Sequence, residues 1–368
     1  MERSQAVLAL NCGSSSLKFG VYRCEGDGAA LLCEGEAEEI GGEHGSFWMK
    51  GSEEAEKRTE KVPLPDHAAA LTHALEALKQ LGAAQPNAVG HRFVHGGPEI
   101  REHQRVTPEV VKQLRAAVEY APLHLPPALA VLDAAGRTMP NLPQVVCLDT
   151  AFHRTMPDVS KTYALPADVR KLGVERYGFH GLSLESILAQ LSELPARLVV
   201  AHLGNGSSIT AIREGRSMDT SMGLTPTGGV MMGTRCGDLD PGVVVYLMRH
   251  GYAGPEALEK LLNKQSGLLG VSGKSSDVRE LVAGRGKSGQ ADLALRMFCY
   301  QVRKTIAGMA AAMGGIDTLV FTGGIGEHAA ELRSELCSGL EFLGKFQTLV
   351  LPAQEDLQIA KITAKLLS

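Results

Sequence analysis

Two stretches of this chain share one pattern, in which an apolar strand runs into a turn of small polar residues and then into a second apolar strand. The first reads AVLALNCGSSSLKFGVY (Ala6 to Tyr22) and the second reads LVVAHLGNGSSITAI (Leu198 to Ile212). Asn11 and Asn205 begin the two turns, about half of the chain apart. Such turns present backbone N–H groups and hydroxyls to an anion. The pattern predicts a duplicated β-hairpin, with one phosphate-holding turn in each of two domains.

The composition is that of a globular protein and excludes several classes of function. A chain of 368 residues is long enough for two domains, and 44% hydrophobic with 21% charged residues is ordinary. A net charge of −4 gives no reason to expect nucleic acid or an anionic membrane as partner. No apolar run approaches the ~20 residues of a membrane helix. The seven cysteines show no CxxC spacing, which favours reduced thiols and a cytoplasmic location.

The alternation of strands and helices indicates an α/β architecture. We expect an N-terminal domain at 1–150 and a C-terminal domain at 151–355, with a closing helix at about 356–368 that packs onto the first domain. The Gly-, Thr- and Met-rich segment 223–242 is too long for a simple connection, so we expect it to be functional. Helices are predicted at 66–81, 107–120, from 126, at 184–194 and from 355, and strands at 89–95, 144–148, 318–321 and 348–351.

The two hairpin turns are the first candidate site. In NCGSSSLK the hydroxyls of Ser14 and Ser16 precede Lys18, and this combination suits a phosphate or a hydrated metal ion. The alternative is an ordinary polar turn. The second turn, HLGNGSS (His202 to Ser208), favours phosphate because it repeats the first.

Two arginines stand where packing alone would not favour them. Arg92 lies within the apolar strand of GHRFVHGG, so it is either a structural ion pair or a clamp for a carboxylate or phosphoryl group. Arg235 lies in the Gly-rich MGTRCGDLDPG, where it is either a solvated loop residue or a cation that neutralises charge during phosphoryl transfer.

Three further features carry a weaker signal. His180 in RYGFHGLS is a lone histidine that could be structural or catalytic. Asp149 follows a buried strand, which is a frequent catalytic position in α/β folds, although it could cap the next segment. FTGGIGEH (Phe321 to His328) is a strand followed by glycines that allow a ligand to approach the backbone.

One segment imitates a P-loop. GLLGVSGKSSD contains Gly273, Lys274 and Ser275, but the pattern requires glycine at position 268, which is Leu268. Helical sequence precedes the segment, whereas a P-loop follows a strand. We therefore reject a P-loop.

Taken together, these motifs resemble the acetate kinase family of the acetate and sugar kinase/Hsp70/actin superfamily. The resemblance extends over nearly the whole chain and also includes APLHLPP, CLDTAFHRTMP, DTSMGLTPTGG and SGLLGVSG. It implies two ribonuclease-H-like (actin-like ATPase) domains with a catalytic cleft between them, normally in a homodimer. It further implies reversible, Mg²⁺-dependent (alternatively Mn²⁺-dependent) phosphoryl transfer from ATP to acetate, giving ADP and acetyl phosphate.

The resemblance also assigns roles by motif. Asp149, His180 and Arg235 would be catalytic, and Asn11 and Glu355 would position the metal, with Asp356 as the alternative to Glu355. Arg92 would hold the acetate carboxylate, and the methyl pocket would be formed by Val94, Leu123, Phe179 and Pro226. The nucleotide would contact Ser14, Ser16, Lys18, His202, Leu203, Gly204, Asn205, Gly206, Asp277, Val278, Arg279, Gly324, Ile325, Gly326, Glu327 and His328.

The chain departs from the family pattern in places. Leu125 stands where the family usually has Asn, His328 where it has Asn, and Cys236 where Ser is common. Two other functions remain open from the residues. A propionate kinase would use the same machinery with a slightly larger pocket, and a nucleotide-gated binding protein of the Hsp70 or actin kind would keep only the phosphate turns.

Overall fold

A computed structural model describes residues 5–52, 56–82 and 84–368. The chain divides into two compact units. Unit 1 comprises Met1–Ala151, Gly181–Ser186 and Gln354–Ser368, and unit 2 comprises Phe152–His180 and Ile187–Ala353. Among the described residues, we find no helix with the length and apolarity needed to cross a lipid bilayer.

The described residues form thirteen strands. Their bounds are β1 (Gln5–Cys12), β2 (Ser16–Glu25), β3 (Gly28–Glu38), β4 (Gly42–Gly51), β5 (Arg58–Leu64), β6 (Ala88–Phe93), β7 (Gln104–Arg105), β8 (Gln144–Leu148), β9 (Arg197–Leu203), β10 (Ser207–Arg213), β11 (Arg216–Thr220), β12 (Thr318–Thr322) and β13 (Gln347–Val350).

Fourteen α-helices complete the described secondary structure, together with three short 3₁₀ helices. The α-helices are α1 (His67–Leu81), α2 (Pro108–Ala116), α3 (Leu125–Thr138), α4 (Asp158–Lys161), α5 (Ala167–Arg170), α6 (Gly181–Gln190), α7 (Pro241–Arg249), α8 (Pro255–Lys264), α9 (Gly267–Ser272), α10 (Val278–Ala283), α11 (Gly289–Met313), α12 (Gly323–His328), α13 (Ala330–Ser338) and α14 (Glu355–Leu367).

Unit 1 is built on an eight-stranded sheet in the order β5-β4-β3-β2-β1-β6-β8-β7. Strands β1 to β5 form an antiparallel meander, whereas β6 runs parallel to β1 and β8 runs parallel to β6. Because parallel strands end at one edge of a sheet, the carboxyl ends of β1, β6 and β8 bring Asn11, Arg92 and Asp149 to the same edge.

Helix α14 returns the end of the chain to this sheet. Its buried residues Ile359 and Ala360 pack with Val7, Ala9 and Val145. Gly90 in β6 permits this close approach, because a Cβ there would lie 2.7 Å from the Ile359 side chain. The first turn of α14 therefore has a fixed place beside β1 and β6.

Unit 2 is built on a five-stranded sheet in the order β11-β10-β9-β12-β13. Strands β9, β10 and β11 are antiparallel, and β12 and β13 continue the sheet parallel to β9. The 25-residue helix α11 packs its apolar face on this sheet. The order repeats that of β3-β2-β1-β6-β8 in unit 1, and this ribonuclease-H-like pattern confirms the predicted fold class and the duplicated hairpin.

Most predicted elements are present, and the differences have local causes. The helix capped by Thr107 ends at Ala116 and continues to Tyr120 only as a 3₁₀ turn. The helix predicted at 184–194 begins earlier, at Gly181, and ends at Gln190. The glycines that we expected after β12 begin the short helix α12, because Gly323 adopts a φ of 77° that turns the chain directly into a helix.

Candidate active site

The first group of site residues lies at the edge of the unit 1 sheet, and we call it the Arg92 cluster (Asn11, Arg92, Asp149, Glu355 and Asp356). Arg92 donates from Nε to Asp149 Oδ1 at 3.1 Å and from Nη2 to Oδ2 at 2.7 Å. Its Nη1 donates to Asn11 Oδ1 at 2.9 Å. The Asn11 Nδ2 group in turn donates to Glu355 Oε2 at 3.2 Å and Asp356 Oδ1 at 2.9 Å. The sequence predicted these residues separately, and the fold brings them together.

Burial and charge both shape the ionisation of this cluster. Burial raises the pKa of the Asp149 carboxyl, and the Arg92 guanidinium opposes that shift. Burial also raises the pKa of Asp356, which the Asn11 hydrogen bond opposes and the neighbouring Glu355 reinforces. Burial acts to lower the pKa of Arg92, but Asp149 and the α14 carboxylates outweigh it, so that pKa is raised. Arg92 is therefore a permanent cation among three carboxyl groups.

The chemistry of the cluster suits a hard divalent cation held partly by other ligands. The carboxylates of Glu355 and Asp356 lie next to each other, because both accept from the side-chain amide of Asn11. Hard divalent cations prefer oxygen ligands of this kind. Within the described ranges, no three His, Cys, Asp or Glu side chains converge as a metal site by themselves. Magnesium commonly binds through one or two carboxylates, with waters and substrate phosphates completing its coordination. The residues present thus fit a metal that arrives with a nucleotide.

The first hairpin turn is compact and half-exposed. Gly13 N–H donates to Ser16 O at 2.8 Å, and the Gly13 carbonyl oxygen lies 3.0 Å from His67 Nε2. Ser14 is exposed at the tip of the turn. Lys18 pairs in register with Asn11 across β1 and β2, and its Nζ lies 3.9 Å from Glu36 Oε1. The turn therefore presents Ser14 and Lys18 to solvent in unit 1.

The second group lies in unit 2, where the second hairpin turn meets His180 and Arg235. A Cβ placed on Gly206 would lie 3.3 Å from both Arg235 Nη1 and His180 Nε2. The His180 ring stacks on His202, with centroids 4.1 Å apart, and its Nδ1 lies 2.9 Å from Ser208 Oγ. The predicted phosphate turn thus lies beside two of the side chains predicted to be catalytic, His180 and Arg235.

His180 is held in an unusual backbone conformation. Its φ of 60° lies in the left-handed region, which costs non-glycine residues about 1 kcal/mol or more. The buried His153 supports this segment, since its Nε2 donates to the Phe179 carbonyl oxygen at 2.9 Å and its Nδ1 lies 2.9 Å from Ser217 Oγ. Sequence reasoning missed His153, although it lies in the CLDTAFHRTMP motif. The only sequence indication of a role for His153 was a histidine within that motif. Its partners Phe179 and Ser217 are distant in sequence and could not be predicted.

Arg235 is fixed by the loop that carries it. Its Nη1 donates to the Pro226 carbonyl oxygen at 3.1 Å, and its own carbonyl oxygen accepts from Met232 N–H at 3.0 Å. The start of α9 braces the loop, because Leu268 N–H donates to Met232 O at 2.8 Å. Arg235 is partly buried and bonded, in contrast to the solvated loop arginine that was the alternative.

A cavity of about 990 Å³ opens in unit 2 beside the second hairpin turn. It includes eight of the predicted nucleotide contacts. Its lining residues are Gly204, Asn205, Ser276, Asp277, Val278, Arg279, Val282, Ala283, Gly324, Ile325, His328, Ala329, Ala330, Glu331 and Leu332. The sequence did not predict that Val282 and the start of α13 line this cavity, because neither belongs to a recognisable motif.

Other predicted nucleotide contacts do not line that cavity. Leu203 is buried in the unit 2 core, and Gly326 is buried in α12. Glu327 Oε1 accepts from Gly323 N–H at 3.0 Å and Ala353 N–H at 3.1 Å, so its carboxylate stabilises α12. Arg279, which does line the cavity, is paired there with Asp277, its Nη2 donating to Oδ2 at 2.7 Å.

The four residues predicted to line the methyl pocket are divided between the units. Val94 in unit 1 is buried, and Leu123 is half-buried. Phe179 and Pro226 are buried in unit 2, each beside a catalytic candidate. Leu125, which replaces the usual asparagine, is completely buried in the unit 1 core, so it makes no polar contact with a ligand.

Similarity to known proteins agrees with this geometry. The chain matches the Acetokinase family over residues 6–357. It is 41% identical to an acetate kinase of Dictyoglomus turgidum, covering 98% of this chain and 97% of that relative. The crystal structure of the Porphyromonas gingivalis acetate kinase superposes with a TM-score of 0.87 at 37% identity, covering 99% of this chain and all of that one. A propionate kinase of Francisella tularensis superposes with a TM-score of 0.91 at 34% identity, covering 98% and 100%.

The two ribonuclease-H-like sheets, each with a hairpin turn of small polar residues, place the chain in the acetate and sugar kinase/Hsp70/actin superfamily. More narrowly, the chain belongs to the acetokinase family. It is therefore a phosphotransferase whose acceptor is a carboxyl group.

Proposed function

We propose that this protein is an acetate kinase that transfers the γ-phosphoryl group of ATP reversibly to acetate, giving acetyl phosphate and ADP. The observation that carries the proposal is the placement of Gly206 against both Arg235 Nη1 and His180 Nε2. A phosphate turn that lies beside an arginine and a histidine is suited to a phosphoryl group in transfer, because both side chains can donate to the equatorial oxygens that carry the developing charge.

The reaction needs positioning and charge neutralisation more than a base. Acetate is already an anionic nucleophile, so no proton has to be removed before it attacks phosphorus. The task is to bring two anions into line and to neutralise the metaphosphate-like group between them. Arg235 and His180 serve the phosphoryl group, while Arg92 serves the acceptor.

The Arg92 guanidinium is oriented so that it can bind the carboxylate of acetate. Asp149 engages its Nε and Nη2, and Asn11 engages its Nη1. Each Nη atom carries a second N–H, and these two donors form a fork that matches the two oxygens of a carboxylate. Asp149 keeps the guanidinium fixed in this orientation, so its role is to orient Arg92. Val94, Leu123, Phe179 and Pro226 would enclose the acetate methyl group.

We assign the remaining site residues to the nucleotide and its metal ion. The cavity lined by Gly204 and Asn205 would take the nucleoside. Ser14, Ser16 and Lys18 of the first turn would contact phosphate oxygens. Mg²⁺, or Mn²⁺ in its place, would be held by Glu355 with Asn11 through water, and it neutralises phosphate charge when bound. Asp356 is the alternative ligand.

The direct test is formation of acyl phosphate, trapped as hydroxamate, from ATP, Mg²⁺ and acetate. We expect hydroxamate formation that requires acetate and that Arg235→Ala abolishes. ATP hydrolysis that is unaffected by acetate, with no hydroxamate, would instead support a nucleotide-gated binding protein of the actin or Hsp70 kind.

A second candidate acceptor is propionate, which the TM-score of 0.91 to a propionate kinase favours. One methylene group changes discrimination by only ~1–3 kcal/mol, so the two activities are expected to overlap. Steady-state kinetics on acetate, propionate and butyrate decide the ranking. A higher kcat/KM for propionate than for acetate would make propionate kinase the correct assignment.

We also propose a cytoplasmic homodimer. Helix α7 exposes apolar side chains to solvent, among them Val245, Tyr246 and Met248. A patch of this kind on one helix is typical of a protein–protein contact. Analytical ultracentrifugation tests this directly: the wild type should sediment as a dimer and Tyr246→Glu as a monomer, and a monomeric wild type would refute the proposal.

A further inference from the structure

An unusual polar contact occurs at the end of strand β8, next to Asp149. The edge strand β7 pairs with β8 only at Val145 and Val146, so β8 extends beyond its neighbour. The Leu148 N–H donates instead to His103 Nδ1 at 3.0 Å. Because a backbone N–H is always a donor, Nδ1 must be an acceptor, and the neutral His103 ring carries its proton on Nε2. This nitrogen lies 3.1 Å from Glu185 Oε1 and donates to it.

The contact continues to helix α14. Glu185 Oε2 accepts from Gln358 Nε2 at 3.1 Å. Beside it, Gln354 N–H donates to Ser186 Oγ at 3.2 Å. The beginning of α14 is therefore held at two points by residues of α6. We call the chain of side chains His103, Glu185 and Gln358 the His103 relay.

Both ends of the relay adjoin the Arg92 cluster. At one end, Leu148 immediately precedes Asp149, whose N–H donates to Phe93 O at 3.0 Å and whose carbonyl oxygen accepts from Gly181 N–H at 2.9 Å. At the other end, Gln358 lies three residues after Glu355, and residues at this spacing share one helix face. The relay thus joins the strand that carries Asp149 to the helix that carries Glu355 and Asp356.

The relay is shielded from water and lies where it can hold the first turn of α14 in place. His103 and Glu185 are 15% and 19% exposed, so their bonds are shielded from water and an unpaired partner would be costly. The first turn of a helix tends to fray unless it is tied down. The Asn11 bonds to both α14 carboxylates require that turn to remain in place.

We propose that His103 and Glu185 are positioning residues for the phosphoryl-transfer site, which hold Asp149 and the first turn of α14 in the arrangement of the Arg92 cluster. This inference rests on the proposed function. The relay makes no contact with a reacting group and acts only through the residues that it orients. Loss of either link should lower kcat and leave the nucleotide cavity of unit 2 unaffected.

Two substitutions separate the two bonds of His103. His103→Asn retains an acceptor near the position of Nδ1 for Leu148 N–H but no longer reaches Glu185. His103→Gln retains a donor towards Glu185 but loses the acceptor for Leu148. Glu185→Gln preserves shape and removes one of the two acceptors, which gives an independent variant if a His103 variant does not fold. His73→Asn is the matched control, because His73 Nε2 lies 2.7 Å from Glu60 Oε1 in a second histidine–glutamate pair of unit 1.

The measurements are kcat, the KM for ATP, and amide hydrogen exchange of the protein without ligands. We expect His103→Gln and Glu185→Gln to lose roughly 10- to 100-fold in kcat, with the KM for ATP within about twofold of wild type. His103→Gln should lower the protection of the Leu148 amide. His103→Asn and Glu185→Gln should lower the protection of the amides in the first turns of α14. His73→Asn should change neither quantity.

Three results would overturn the proposal. The first is unchanged kcat in both His103→Gln and Glu185→Gln. The second is a loss of kcat in His73→Asn as large as theirs. The third is unaltered exchange at Leu148 and α14 in all relay variants. Hydrogen exchange needs no turnover, so a wild type that forms no acyl phosphate would refute the proposed function, whereas the exchange result would still decide whether the relay holds α14.

Discussion

Arg92 and Asp149 form a two-pronged ion pair in unit 1, with Nη2 donating to Oδ2 at 2.7 Å and Nε lying 3.1 Å from Oδ1. Asp149 is 1% exposed, so its charge depends almost entirely on this partner. The pair explains how an arginine can occupy an apolar strand. It is the structural ion pair that the sequence offered as one of the two interpretations of Arg92. It also leaves an outer edge of the guanidinium for a ligand. The structural and functional interpretations of Arg92 are therefore compatible.

Arg92→Ala is expected to affect both affinity and stability. Loss of a charge-assisted fork should raise the KM for acetate roughly 10- to 100-fold, while the KM for ATP remains near that of wild type. Removal of one partner also leaves Asp149 buried and unpaired, which should lower the free energy of unfolding by about 3–5 kcal/mol. The double variant Arg92→Ala/Asp149→Asn should recover stability but not the KM. An unchanged KM for acetate in Arg92→Ala would remove Arg92 from carboxylate binding.

Arg235→Ala should lower kcat by ~10³–10⁵, the range that cleft arginines contribute in comparable phosphoryl transfers. Arg235→Lys should recover little of this loss, because an ammonium group lacks the planar fork of a guanidinium. Single-turnover kinetics with acetate and ATP separate the chemical step from product release. Turnover near that of wild type in Arg235→Ala would show that Arg235 has no part in the reaction.

Gly206→Ala is expected to disturb the site through one added methyl group. Its Cβ would lie 3.3 Å from both Arg235 Nη1 and His180 Nε2, so these two side chains must shift or the turn must move. A displacement approaching 1 Å can cost about 10²-fold in rate, and we expect kcat to fall by up to that factor. Gly308→Ala is the control, since a Cβ there meets no neighbouring atom within 4 Å. Equal kcat in the two variants would show that the contact at Gly206 is not important for turnover.

Much of the fold could be predicted because its signals are local. Asp66 and Thr107 each accept from a backbone N–H three residues later, as expected of N-caps, and Gly82 ends α1 at a φ of 68°. The repeated hairpin indicated two related sheets because its pattern recurs within the sequence. The order of strands in the unit 1 meander carried no such signal, since antiparallel pairing depends on contacts that spacing alone does not reveal.

The candidate site was predictable where a residue type is costly without a function or partner. Arg92 in a strand and Arg235 in a glycine loop are cases of this kind. His153 and His103 were missed because each acts through the backbone of a distant residue, Phe179 and Leu148 respectively. A histidine that accepts from or donates to a main-chain group has no sequence signature. The carboxylate of Glu327 accepts from two backbone N–H groups, a contact that its motif did not indicate, and its predicted nucleotide contact stays a prediction.

The two carboxylates at the start of α14 should differ in their importance for the metal. Asn11 Nδ2 donates to Asp356 at 2.9 Å and to Glu355 at 3.2 Å, and burial raises the pKa of Asp356. The Asn11 amide therefore lies closer to Asp356 than to Glu355, and we expect Glu355→Gln to raise the Mg²⁺ concentration for half-maximal activity roughly 10- to 100-fold. Asp356→Asn should have the smaller effect. The opposite order, measured by Mg²⁺ titration at saturating ATP, would assign the metal to Asp356.

His91 should make the stability of unit 1 depend on pH. It is completely buried in β6, where its Nε2 lies 2.7 Å from Gln144 Oε1, and burial lowers its pKa from 6.5 to about 4. The unfolded chain therefore binds a proton between pH 6.5 and 4 that the folded protein does not, so stability is complete above pH 6.5 and declines as the pH falls through this window. The difference corresponds to about 3 kcal/mol.

His91→Gln removes the titrating group while it retains a polar side chain beside Gln144. We expect this variant to be less stable at pH 7, because the new side chain does not fill the same volume, but to lose less unfolding free energy between pH 7 and 4 than the wild type loses. Urea unfolding at a series of pH values measures how the free energy of unfolding depends on pH in the wild type and in the variant. Gln144→Glu is a useful comparison, because a carboxylate beside Nε2 favours the protonated ring and should raise the His91 pKa, which reduces the loss at low pH. Parallel slopes in wild type and His91→Gln would mean that His91 takes up its proton as readily in the folded protein as in the unfolded chain.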